Sequence, residues 1–116
     1  GVRQIADLAY RDYFENELPE HEYFAEAVRS KFTYYPCVTR EAFFHQGRID
    51  QLLDSGTLGA DVGLPPLDPA CDRVMICGST AMLKSISSLL DARGFTVSPR
   101  IGVPGDYVIE RAFVDR

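Results

Sequence analysis

"DRVMICGSTAMLKSISSLL", residues 72–90, decides the fold. Val74, Met75, Ile76 and Cys77 make a four-residue apolar run of the kind that fills a buried strand. The run stops at Cys77-Gly78 and a helical pattern starts at once, with Met82, Leu83, Ile86, Leu89 and Leu90 recurring at spacings of three and four. Ser79 or Thr80 can cap this helix and Gly94 offers its stop. The stretch predicts strand, tight turn, helix, with Cys77 at the carboxyl end of the strand, where open α/β sheets bind ligands. The plainer reading of the same pair is a buried cysteine beside a small residue that eases a turn.

Outward from this unit the pattern repeats. Upstream, Ile5, Leu8, Ala9 and Tyr13 give one apolar stripe of a first helix. A second helix is expected from Pro19, an early-turn proline among acids, with Tyr23, Phe24, Ala27 and Val28 facing inward. "KFTYYPCV" (Lys31 to Val38) reads as a strand that Pro36 makes imperfect or confines to an edge. "GRIDQLLDSG" (Gly47 to Gly56) reads as a short helix with Ile49, Leu52 and Leu53 inward. "LGADVGLPPLDPACD" reads as a connector dense in Gly and Pro, and "GDYVIERAFV" (Gly105 to Val114) as a last strand. The order is an α/β pattern, since parallel strands need crossover helices. Only three strands stand against four helices, so either further strands escape this reading or, as is favoured, the chain is a piece of a larger protein.

The 116 residues, 46% hydrophobic and 25% charged, suffice for one modest domain. A formal net charge of −5 argues against a general nucleic-acid binder. No apolar run approaches a membrane span, and "GVRQIADLAYRD" lacks the zones of a signal peptide. Cys37, Cys71 and Cys77 have no metal-site spacing and cannot all pair within the chain, so free thiols in a reducing, cytoplasmic setting are expected.

The cationic candidates lie beside the strand ends. "VTREAFFHQGRID" puts Arg40 just past the Lys31–Val38 strand and Arg48 at the next helix, with Thr39 alongside. Two guanidinium forks and a hydroxyl suit a phosphate monoester. Solvated pairing with Glu41 and Asp50 is the alternative. Arg3, before the first helix, could meet a diphosphate, while His21 and His45 read as surface or cap residues. There is no Walker A loop, no G-x-G-x-x-G and no nucleophile elbow.

The ordered set "VRQIADLAY", "YYPCVTRE", "GRIDQLLDSG", "GLPPLDP", "DRVMICGSTAMLKS" and "GDYVIERAFV" resembles the NADP-binding half of bacterial ferredoxin/flavodoxin–NADP⁺ reductases, over essentially the whole chain. The resemblance implies residues 1–116 as the C-terminal portion of an NADP-binding domain. The implied fold is a partial open parallel sheet, Rossmann-like, with helices on both faces. An FAD-binding barrel would lie upstream in the same protein. The implied enzyme passes electrons between NADPH and ferredoxin or flavodoxin; alone, this chain is expected to be inactive. A non-enzymatic dinucleotide-binding or regulatory module is the alternative.

The same resemblance assigns roles. It implies Thr39, Arg40 and Arg48 at the adenosine 2'-phosphate, and Arg3 at the NADP phosphates. Cys77-Gly78 would sit beside the nicotinamide, the thiol near the carbon that passes hydride, with Gly78 permitting close approach. Ala112 would pack on the flavin ring and Phe113 would line the FAD adenine side. The arginine-tyrosine FAD signature and the glycine-rich turn that cradles the pyrophosphate are not in the sequence. Two strands of the implied sheet would stand between the Lys31–Val38 and Val74–Cys77 strands, so their neighbours' edges are expected to be open.

Overall fold

The computed structural model describes residues 1–111, and Ala112 and Phe113 lie outside the described residues. The chain divides into two compact units, Gly1–Leu52 and Leu53–Arg116.

The second unit contains the strand–turn–helix. Strand β1 is Val74–Cys77 and strand β2 is Tyr107–Glu110, paired parallel with Val74 opposite Tyr107 and Cys77 opposite Glu110. The crossover between them is helix α4, Thr80–Ala92. Ser79 is its N-cap, the Oγ accepting the Met82 amide at 3.3 Å. Leu83, Ile86 and Leu90 are its buried stripe. The helix stops because Gly94 takes φ +85°, which lets the Phe95 amide reach back to the Leu90 carbonyl at 3.0 Å.

Parallel partners point to the same side of the pair, so the two faces can be read separately. Ile76 and Tyr107 are buried on one side, with α4 packed against β1. Tyr107 donates its hydroxyl to Asp91 Oδ1 of α4 at 2.6 Å. Burial first, and this bond second, push its phenol above the ordinary value. On the other side Met75 (85% exposed), Cys77, Val108 and Glu110 are open. Thus Ile76 alone of the apolar run is buried, and β1 has no second partner strand among the described residues.

Beyond β2, Val97 forms a single parallel bridge to Tyr107, and Ser98 donates to the Tyr107 carbonyl at 2.8 Å. Gly105 permits this crossing: a Cβ there would stand 2.7 Å from the Ser98 Cα.

The connector read upstream of β1 contains a helix, Thr57–Val62 (α3), which follows α2 (Ile49–Asp54). Left-handed glycines bound it, Gly56 at φ +82° and Gly63 at φ +72°, so the residues that look like loop punctuation are its two ends.

In the first unit three expectations need correction. The first helix is broken by Tyr10 at φ +59°, leaving a 3-10 turn at Ile5–Asp7 and a π-type turn at Tyr13–Glu17. Ala9 and Tyr13 are exposed, and Phe14 instead turns inward, its ring 5.1 Å from Tyr34 and 5.7 Å from Phe32. Pro19 sits in a 3-10 turn, Leu18–Glu20, and the helix proper is α1, Ala25–Lys31; Tyr23, Phe24 and Ala27 are exposed and Val28 is half-buried.

The third correction concerns the expected Lys31–Val38 strand. Lys31 still belongs to α1, Pro36 has no amide to give, and only Val38 is bridged. His45 is half-buried, its ring stacked 3.9 Å from Tyr35 and its Nδ1 3.0 Å from the Pro36 carbonyl.

Candidate functional site

The single rung at Val38 does what a longer strand would do. Val38 bridges Val2 on one side and Gln46 on the other, both parallel. The bonds are Val2 amide to Cys37 carbonyl (3.0 Å), Thr39 amide to Val2 carbonyl (3.1 Å), Val38 amide to His45 carbonyl (3.0 Å) and Gly47 amide to Val38 carbonyl (2.9 Å). Cys37 and Val38 are fully buried, so this small hub is anchored by side-chain packing as well as by hydrogen bonds.

Because the three segments run the same way, the residues that follow the rung leave at one end. Arg3 follows Val2, Thr39 and Arg40 follow Val38, and Arg48 follows Gln46 by two. The Arg40 amide donates to the Arg3 carbonyl at 2.9 Å, so those backbones are in direct contact. The chain therefore gathers Arg3, Thr39, Arg40 and Arg48 at the carboxyl end of parallel segments, the end where α/β folds bind ligands.

The arginines differ in their state. Arg48 holds Asp50 through two bonds, Nε to Oδ1 at 3.1 Å and Nη2 to Oδ2 at 2.9 Å. Arg3 and Arg40 are exposed and make no ion pair among the described residues. Of the two pairings read as the alternative for Arg40 and Arg48, the Asp50 one is present. Glu41 instead turns to the backbone, its Oε1 accepting the Ile5 amide at 2.6 Å. That bond ties the Arg3 segment to the Arg40 segment. An acid directly after Arg40 was the visible signal; its backbone partner, 36 residues away, was not.

Cys77 and Gly78 belong to the second unit. Cys77 ends β1 on the open face, exposed, with Glu110 as its partner in the pairing. The buried-cysteine reading of this position is therefore wrong. A side chain at Gly78 would collide with the Met82 thioether, the flexible end of a neighbouring side chain. Glu110 was missed as a neighbour of Cys77, because register between strands 33 residues apart cannot be read from one sequence.

No group of His, Cys, Asp and Glu among the described residues could hold a metal ion, and no helix there is long and apolar enough to cross a membrane.

No family model matches the chain. A ferredoxin–NADP reductase of Pseudomonas aeruginosa is 55% identical over all 116 residues. The chain is homologous to one part of such reductases. The reductase of Azotobacter vinelandii is 54% identical over the same 116 residues. Both matches cover the whole chain but only 45% of the relative, so the chain spans less than half the length of these reductases. Among solved structures, a ferredoxin NADP⁺ reductase of Neisseria gonorrhoeae, with bound FAD and NADP, superposes with a TM-score of 0.63 at 27% identity. It covers 82% of this chain, which in turn covers 41% of it. The α/β class and the reductase resemblance both stand.

Proposed function

We propose that residues 1–116 are the C-terminal portion of the NADP-binding domain of an FAD-dependent reductase. Its activity is electron transfer between NADPH and ferredoxin or flavodoxin. The observation that carries this reading is the gathering of Arg3, Thr39, Arg40 and Arg48 behind one parallel rung. The two arginines without ion pairs fit a phosphate-bearing coenzyme, since each leaves its donors available to an anion. Thr39 adds a hydroxyl at the same end.

In this reading Arg40 and Arg48 read the adenosine 2'-phosphate, Arg3 meets the other NADP phosphates, and Asp50 holds the Arg48 fork in plane. Cys77 and Gly78 face the nicotinamide: the thiol orients the ring and the glycine keeps the approach open. Ala112 and Phe113, outside the described residues, would meet FAD. When bound, the coenzyme and flavin supply the hydride and single-electron chemistry; the chain's own residues bind and orient. The three free thiols support a reducing, cytoplasmic setting, and the net charge of −5 supports protein and coenzyme partners over nucleic acid.

The test is Arg40→Ala and Arg48→Ala in the whole reductase, assayed with NADPH and with NADH. Loss of Arg40 should cost about 1.5–3 kcal/mol of NADPH binding, the worth of a hydrogen bond to a charged group. Loss of Arg48 should cost less, because Asp50 already shares its charge. NADH, which lacks the 2'-phosphate, should be little affected by either. Equal losses for both coenzymes would overturn the reading.

A further inference from the structure

A second cationic feature lies in the second unit, apart from the residues used above. A cleft of about 790 Å³ opens between α4, the 97–101 segment and the end of β2. Three cations line it, Lys84, Arg100 and Arg111, and among the described residues no carboxylate does, in a chain whose net charge is −5. None of the three makes an ion pair among the described residues. Thr80 and Ser88 add hydroxyls from α4. Ser87 and Ser98 add two more hydroxyls, and apolar side chains share the lining: Leu83 and Tyr107 are buried there, and Val97 and Ile101 are exposed at 36% and 103%.

Both halves of this lining call for a ligand. Three like charges brought together without a counter-charge repel one another, and an anion would relieve that repulsion. Exposed Ile101 and Val97 would be covered by a flat apolar body. The volume is that of a small-molecule site, which typically measures about 300–1,000 Å³. A concave apolar floor favours such a molecule over an acidic protein, which would meet cations on an open surface.

We propose that this cleft binds a small molecule with a phosphate group on an aromatic body. The phosphate meets Lys84 and Arg100, with Arg111 at the third side, and the ring covers Val97 and Ile101. The lining shares no residue with the set proposed to read the coenzyme, so either proposal can fail without the other.

The experiment uses the ¹⁵N-labelled whole reductase, titrated separately with AMP, adenosine and inorganic phosphate. Hydrogen–deuterium exchange on the same samples reads the location independently. AMP should perturb Thr80, Lys84, Ser88 and Arg100. Adenosine and phosphate alone should each bind about tenfold more weakly or worse, each having lost one half of the contacts. Lys84→Gln and Arg100→Gln, both at exposed positions, should each weaken AMP by about three- to tenfold. Perturbation confined to Arg3 and residues 39–48 would overturn this proposal and leave the coenzyme reading intact. So would AMP binding in the cleft that ignores both substitutions. Phosphate binding as tightly as AMP would overturn the two-part ligand, and perturbation of the cleft by an acidic electron-carrier protein but not by AMP would reassign it as a docking surface.

Discussion

Cys77 stands on the last rung of the β1–β2 pair with its thiol open to solvent. A side chain so placed carries little of the packing, and on the proposed function its work is to orient a bound ring. Cys77→Ala in the whole reductase should therefore slow flavin reduction by NADPH in stopped flow. Stability should stay within about 0.5 kcal/mol of wild type, as for most surface changes. Electron transfer from a chemically reduced flavin to the acceptor protein should be unchanged. A hydride step at the wild-type rate would remove Cys77 from the site. The sequence made this residue legible as the end of a strand. Its exposure was not legible, because a run of four apolar residues looks the same whether one face of the sheet is covered or two.

Among elements, α4 was read almost residue for residue. Its cap, its apolar spacing and its terminal glycine are all local signals, and all three act within one helix. The segment from Lys31 to Val38 failed for the opposite reason: strand pairing is a non-local fact, and Pro36 had already weakened the only local signal. The helix α3 was hidden because glycine marks helix ends as well as loops.

Two predictions belong to β2. Gly105→Ala forces a methyl against the Ser98 backbone, which cannot step aside as a side chain would, and should cost about 1–3 kcal/mol in a denaturant melt. Alkaline pH should also weaken this element. The folded Tyr107 phenol lies above the ordinary value of 10.0, so the folded state keeps its proton after the unfolded chain has lost it. Its contribution is whole below pH 10 and falls as pH rises toward and through the raised value. Tyr107→Phe should abolish that alkaline decline and cost about 1 kcal/mol at neutral pH, because Asp91 loses the hydroxyl that donates to it.

For the whole molecule, the open face of β1 and β2 is the main liability. Met75 is 85% exposed and Val108 38%, on a pair whose β1 edge has no further strand among the described residues. Such an edge and face invite pairing with another copy. Met75→Lys should reduce self-association of the 116-residue chain in light scattering, with the thermal midpoint unchanged. Persistent association would locate the contact elsewhere.

The hub at Val38 has a kinetic consequence. A ladder of several rungs frays from its ends, so its parts loosen one after another. With one rung there is no end to fray from. The amides of Val2, Val38, Thr39 and Gly47 are latched around the same buried valine, so loss of that valine's packing would loosen both sides together. Arg3, Arg40 and Arg48 hang from those three segments. Their spacing is thus set by the latch, with the Arg3 and Arg40 segments held to each other by the further bonds from the Arg40 amide to Arg3 and from the Ile5 amide to Glu41, and the Arg48 segment held through Val38.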